Sequence, residues 1–209
     1  MMDNNRLDLL RSLQDGGISD PRVLDAIAQT PREAFIPEEA LKPEAYFDEA
    51  LPIECGQTIS QPFVVAYMTE RLHVMPEHDV LEIGTGSGYQ AAILSRLARH
   101  VYTIERHRLL HSAAVLRFEA LGLSNITAIH GDGMEGWPQA RLFNRIAVTA
   151  GAEEIPVGLL KQLGGCGFMV LPLGASGTQC ITLITRSGTH IEPQTLLPVR
   201  FVPLLAGHD

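Results

Sequence analysis

Near the start of the chain, apolar residues recur at helical spacing. Leu7, Leu10 and Leu13, with Leu9, fall on one face of a predicted helix. Asp20-Pro21 is a helix start, and Val23, Leu24 and Ile27 continue the same period behind it. Thr30-Pro31 predicts the cap of a further short helix, which Pro37 limits. From Val80 the pattern changes. Short apolar runs at 80–83, 101–104, 126–129, 146–148 and 168–171 read as strands, and amphipathic stretches at 89–98 and 109–121 read as helices between the first of them. Strand and helix in alternation predict a parallel sheet with helices on both faces. Residues 180–184 and 199–205 read as later strands, with Ser187-Gly188 as a turn. The longest uncharged stretch, 162–185, has the length of a membrane span. Gly164, Gly165, Gly167, Pro172, Gly174 and Gly177 break it, so it reads as two buried strands and a turn.

The 209 residues suit one domain, with no internal repeat or low-complexity tract. The expected division is a helical leader and lid loop over 1–78 and a sheet core over 79–209, with no flexible linker between them. Lys and Arg number 16 against 24 Asp and Glu, a net charge of −8, and no basic run breaks that balance. A nucleic-acid partner is therefore not expected, since phosphate binding needs a basic footprint. Three cysteines, Cys55, Cys166 and Cys180, form no C-x-x-C pair, which argues against a disulfide framework or a cysteine zinc site and fits a reducing cytoplasm. The N-terminal MMDNNRLDLL carries charges where a signal peptide has its apolar run. The expectation is a cytoplasmic protein, monomeric, with no membrane partner and no metal.

The strongest local signal is Val80-Leu-Glu82-Ile-Gly84-Thr85-Gly86-Ser87-Gly88-Tyr89. A strand runs into three glycines on alternate positions, and a helix follows. Glycines there let the backbone turn tightly and approach a ligand closely. A dinucleotide fold needs G-x-G-x-x-G, and the third glycine would fall at Tyr89. The observed form is acidic-x-G-x-G-x-G, which resembles motif I of the Rossmann-like S-adenosylmethionine methyltransferases. Glu105, at the end of the second strand, is placed to accept hydrogen bonds from ribose hydroxyls. Asp132, in Gly131-Asp132-Gly133, ends the third strand at the same carboxyl edge. Each acid taken alone reads as a helix cap or loop end; at successive strand ends they read as a nucleoside site.

The segment before the glycine loop narrows the substrate. Gly56-Gln57-Thr58-Ile59-Ser60-Gln61-Pro62 resembles the signature of the protein-L-isoaspartate O-methyltransferase family. Pro31-Arg32-Glu33-Ala34-Phe35, the block from Gly131 to Pro138, Val148-Thr149-Ala150, the block from Gly164 to Gly174, and Val199-Arg200-Phe201-Val202-Pro203-Leu204 follow in family order. The resemblance covers most of the chain. It implies a class I methyltransferase fold with a helical N-terminal elaboration, S-adenosylmethionine as cofactor, and methyl transfer to the free α-carboxylate of L-isoaspartyl residues in damaged proteins and peptides. The ester would then cyclise to a succinimide with loss of methanol, and hydrolysis would reopen the ring toward normal aspartate. Such a carboxylate is already ionised at neutral pH, so the chemistry calls for positioning rather than a strong base.

Carried onto this sequence, the resemblance makes Ser60 the catalytic residue, orienting the substrate carboxylate; its structural alternative is helix N-cap before Pro62. Gln57, Thr58, Ile59, Glu82, Gly84, Thr85, Gly86, Ser87, Gly88, Glu105, Arg106, Asp132 and Gly133 are the expected cofactor residues. Ser60, Phe63, Val202 and Leu204 are expected against the peptide. The sequence departs from the family at Glu54 (usually glycine), Asn144 (usually Asp) and Gly151-Ala152 (often Ala-Pro). Asn144, at the start of a strand, is expected to be structural; Gly151-Ala152 is expected to loosen a loop on the cofactor side.

His107 and His111 sit four apart on a predicted helix, but no third ligand is in view. Gly86-Ser87-Gly88 is not a nucleophile elbow, because the flanking residues are Thr85 and Tyr89. Two readings compete with the main one: a methyltransferase for another carboxylate or small molecule, and a silent homologue acting as a binding module.

Overall fold

The computed structural model describes residues 4–209. Two helices, α1 (Asn4–Asp15) and α2 (Pro21–Gln29), open the chain. Asp20 caps α2 by accepting the Arg22 N–H, and Pro21 stands at N1. In α1 the buried residues are Leu9 and Leu13, so its inward face is centred one position off the predicted Leu7-Leu10-Leu13 stripe. After Thr30, which ends α2, Arg32–Phe35 and Glu39–Glu44 form short 3₁₀ turns. A two-residue ribbon, β1 (Leu51–Pro52) against β2 (Thr58–Ile59), leads into α3 (Pro62–Leu72).

From Asp79 the chain alternates: β3 (Asp79–Ile83), α4 (Tyr89–Ser95), β4 (His100–Glu105), α5 (Arg108–Ala120), β5 (Ile126–His130), β6 (Phe143–Val148), α6 (Val157–Gln162), β7 (Leu163–Leu173), β8 (Gln179–Ser187) and β9 (His190–Val199). The seven-stranded sheet has the order β5-β4-β3-β6-β7-β8-β9. Its first five strands are parallel, and β8 and β9 run antiparallel to their neighbours. The order reverses at β3, and ligands of such open sheets bind outside the carboxyl ends of the strands at that switch.

Strand alternation supplies both faces. Val80, Val101, Ala147 and Val170 point into a core shared with α3, α4, α5, Leu9, Leu13 and Ile27. Leu81, Ile83, Ile104, Ile146, Val148 and Met169 point into the other, with Trp137, Phe143 and Leu159. Buried Glu70 on α3 ties the leader down, one oxygen accepting the Ser19 and Asp20 amides at 2.8 and 2.7 Å.

Two predictions about strands need correction. The run at 199–205 is not a strand: β9 ends at Val199, and the chain beyond it follows an irregular path. β9 itself is apolar mainly toward its end, at Leu196, Leu197 and Val199, which are partly buried. It is an edge strand, largely exposed and bearing Pro193 and Pro198, so it lacks the signature of a buried strand.

Candidate functional site

The β3–α4 turn forms the floor of a cleft of about 800 Å³, its open mouth included, within the size range of small-ligand sites. Gly84, Gly86 and Gly88 all have positive φ, at 94°, 53° and 91°. A Cβ on Gly84 would stand 2.6 Å from the Thr149 hydroxyl, and one on Gly88 would stand 2.7 Å from Phe118. The Thr149 hydroxyl in turn donates to the Ile83 and Gly84 carbonyls at 2.9 and 2.6 Å. Glycine is thus required at Gly84 and Gly88 by positive φ and by close packing against Thr149 and Phe118, and the turn is held from the end of β6.

Glu105, at the end of β4, is 4 % exposed. Its two oxygens accept the Gly86 N–H at 2.7 Å and the His107 N–H at 3.0 Å. An ionised carboxylate offers about four acceptor positions, so capacity remains for a diol. Gln57, Thr58, Ile59, Ser60, Gly84 to Ser87, Arg106 and Gly133 line the same cleft. Sequence reasoning passed over Tyr89, Gln90, Thr149 and Ala150, which also line it. Tyr89 stands where a dinucleotide fold has glycine, and its own role carries no local motif.

Three of the expected cofactor residues lie elsewhere, and the first, Gly88, packs against Phe118 of α5 and does not line the cleft. Glu82 does not line the cleft; it is fully buried behind it. One oxygen accepts from the Thr103 hydroxyl at 2.5 Å and the other has no partner. Burial pushes its carboxyl up to about 8, with the nearby Glu105 charge adding to the effect. Asp132 lines the neighbouring hollow with His130, Trp137 and His208. One oxygen caps a 3₁₀ turn at the Met134 N–H (2.8 Å), and the other accepts the Gly207 N–H (2.5 Å). Its neighbour Gly133 faces the cleft.

A second groove runs beside the first, lined by Ala50, Thr58, Ser60, Phe63, Leu197 and Phe201 among others. Thr58 and Ser60 border both. Val202 and Leu204, expected against the peptide, line the cofactor cleft instead. Ser60 does not cap α3. That part belongs to Asp48, which accepts the Phe63 N–H at 2.7 Å and the Gln61 side-chain amide at 3.0 Å. The Ser60 carbonyl is held by Arg32, whose buried guanidinium also donates to the carbonyls of Ala45 and Glu49. Arg32 and Asp48 lie outside the signature block, and only folding brings them to it.

The departures from the family pattern now have places. Asn144 accepts the Asp79 N–H at 3.1 Å, at the opposite edge of the sheet from the cleft. Glu54 faces a shallow depression with Pro37, Pro52 and Ile53, not the cleft. Its charge favours the protonated form of Arg117, which donates to the Ser87 carbonyl at 3.2 Å, against the larger effect of burial. The expected loosening at Gly151-Ala152 does not occur. Gly151 and Ala152 make four backbone hydrogen bonds of 2.8 to 2.9 Å, to Val202, Leu204, Pro172 and Gly174.

His111 meets the Ala128 carbonyl at 3.3 Å, and His107 meets Asp209 at 3.1 Å. The thiol of Cys55 is raised by desolvation first and then by the charges of Asp209, Glu105 and Glu54, which disfavours the thiolate.

Comparison with known proteins agrees with this geometry. The family model described as protein-L-isoaspartate(D-aspartate) O-methyltransferase matches residues 4–209. A protein-L-isoaspartate O-methyltransferase of Parvibaculum lavamentivorans is 52% identical over 208 residues, covering 98% of this chain and 93% of its own. One of Proteus mirabilis is 48% identical over 207 residues, 99% of each chain. Among solved structures, a protein-L-isoaspartate O-methyltransferase superposes with a TM-score of 0.86 at 30% identity, over 95% of this chain and 65% of its own longer one. A Plasmodium falciparum protein in complex with S-adenosyl-L-homocysteine gives 0.84 at 27% identity, over 97% and 99%. The chain belongs to the protein-L-isoaspartate(D-aspartate) O-methyltransferase family.

Proposed function

We propose that Ser60 is the residue at which the two substrates of this enzyme meet. The enzyme methylates isoaspartyl residues of proteins with S-adenosylmethionine, a step of protein repair. The observation that carries the assignment is that Ser60 borders both the glycine-floored cleft and the adjoining groove. When bound, the cofactor supplies a methyl group already activated by a sulfonium centre.

The cleft suits such a group. Its glycine turn, held at positive φ, brings bare backbone to the cleft at Gly84 and Gly86, and Glu105 retains acceptor capacity for ribose hydroxyls. Gln57, Thr58 and Ile59 border it from the β2 side, and Arg106 and Gly133 from β4 and β5. The isoaspartyl α-carboxylate, ionised well below neutral pH, needs no base. The Ser60 hydroxyl donates a hydrogen bond to it and turns one oxygen toward the methyl group. Holding reacting atoms at attack distance can lower the barrier by about 7 kcal/mol or more. The groove side, with Phe63 and Phe201, receives the peptide chain. In the methyl ester formed there, the peptide nitrogen carried on the side-chain carboxyl attacks the ester carbonyl and expels methanol, which closes a succinimide.

The wider reading is a single domain, monomeric and cytoplasmic, with no nucleic-acid or membrane partner. A core shared between Leu9, Leu13 and the sheet supports one domain. Free thiols at Cys55, Cys166 and Cys180 and a net charge of −8 support the rest. Among the described residues no helix is long and apolar enough to cross a membrane.

Ser60→Ala tests the central assignment. A hydrogen bond to a charged group contributes about 1.5–3 kcal/mol, so kcat falls roughly 10- to 100-fold while S-adenosylhomocysteine binds as before. An unchanged kcat would remove Ser60 from the reaction.

A further inference from the structure

The wall between the cleft and the groove is the segment that follows β9. Phe201 lines the groove, and Val202, Pro203 and Leu204 line the cleft. The two parts of this wall have separate clasps. Gly151 holds the cleft part, its N–H donating to the Val202 carbonyl and its carbonyl accepting the Leu204 N–H, each at 2.8 Å. Gln179 holds the groove part. Its backbone pairs with Val199 in the sheet, and its side-chain Oε1 accepts the Phe201 N–H at 2.7 Å. A side chain thus takes over where the backbone ladder stops. Gln179 is 4 % exposed, and its amide fills the space that a Cβ at Gly151 would need.

We propose that Gln179 is a positioning residue for methyl transfer, setting the groove side of this wall independently of the cleft side. This rests on the reading that the groove receives the peptide. Gln179 touches neither reacting group; it acts through Phe201. Removing its acceptor frees Phe201 and leaves Val202 and Leu204 clasped by Gly151. The consequence is selective: peptide binding suffers and cofactor binding does not.

The test uses the full-length enzyme with Gln179→Met, which keeps the volume and loses the acceptor, and Gln179→Glu, which keeps an acceptor oxygen. Steady-state kinetics on an isoaspartyl peptide are read beside titration with S-adenosylhomocysteine. For Gln179→Met the expected result is a KM for peptide raised about 5- to 10-fold, the equivalent of one lost hydrogen bond, with kcat and cofactor Kd within about twofold. Gln179→Glu restores KM to within about twofold of wild type. An unchanged KM in Gln179→Met, or KM and cofactor Kd rising together, overturns the proposal; the second outcome would mean a merely structural role. Should Gln179→Met fail to fold, the Phe201 amide in the wild-type enzyme decides. Hydrogen exchange slower than at Arg200 supports the clasp, and exchange as fast overturns it. A wild-type enzyme that ignores isoaspartyl peptide would fail the reading of the groove, and the exchange measurement would still judge the clasp by itself.

Discussion

The carboxylate of Glu105 accepts the amide hydrogen of Gly86 at 2.7 Å. This bond joins the end of β4 to the glycine turn after β3, so the acid expected to read the ribose also fixes the cradle beneath it. Glu105→Gln keeps an acceptor but loses the charge. Its expected effect is a Kd for S-adenosylhomocysteine raised about 10- to 100-fold, the range for hydrogen bonds to a charged group. Isothermal titration measures it. A Kd within about twofold of wild type would mean that Glu105 serves the turn alone.

Buried Arg32 forms no salt bridge with a carboxylate among the described residues, although the charge of Asp48 acts on it. It donates to the carbonyls of Ala45, Glu49 and Ser60 at 2.7, 2.9 and 3.0 Å and lies 5.7 Å from the centre of the Tyr89 ring. Burial lowers its affinity for the proton, against smaller opposing effects of Tyr89, Asp48 and Tyr46. Arg32→Met leaves one buried and two part-buried carbonyls without their donor. At about 1 kcal/mol or more each, urea unfolding gives a loss of roughly 3 kcal/mol or more. A loss below about 1 kcal/mol would show that the loop carrying Ser60 holds without it.

Asp48 reaches across 15 positions of sequence to cap α3 at Phe63. Asp48→Ala costs about 1 kcal/mol, as for other N-caps, and Asp48→Asn much less because an acceptor remains. Thermal unfolding of the two variants separates them. Equal losses would mean that charge, not the cap, is what matters.

Glu82 gives stability a pH dependence with a definite sign. Its folded-state pKa of about 8 lies above its ordinary value of 4.5. Between those values the folded chain holds a proton that the unfolded chain has released. The stability tied to that proton is therefore complete below 4.5 and is lost as pH rises toward 8. The loss has a slope of up to about 1.4 kcal/mol per pH unit. Glu82→Gln removes this term. From pH 5.5 to 7.5 the wild type should lose stability relative to the variant in urea titrations. Parallel curves would place an ionised Glu82 in the core.

What the sequence made legible follows from which features are local. The alternation in Val80–Ile83 and the glycines behind it are local, and the parallel core and cleft floor follow from them. The Gly56–Pro62 block is also local, and it carried the family resemblance. The apolar content of 199–205 was misread as a strand. Those side chains line the groove and the cleft, while the Phe201 amide goes to a side chain instead of a neighbouring strand. β9 lacks a strand signature because it is a largely exposed edge with two prolines, and its few partly buried apolar residues do not alternate. Asp132 has the strand-end place of a ligand-binding acid, but it lines the neighbouring hollow and not the cleft, with its oxygens on Met134 and Gly207. The long-range partners of Ser60 and Phe201, namely Arg32 and Gln179, stand 28 and 22 residues away, and no local pattern announces such pairs.

The central claim is that this fold positions an isoaspartyl carboxylate for methylation. Its most direct test is methyl transfer from labelled S-adenosylmethionine to two synthetic peptides, identical except for L-isoaspartate or L-aspartate at one position. Base-labile label is counted, with Ser60→Ala run alongside. The account predicts label on the isoaspartyl peptide only, much reduced in Ser60→Ala. Equal labelling of both peptides, or none on either by enzyme that binds S-adenosylhomocysteine, would contradict it.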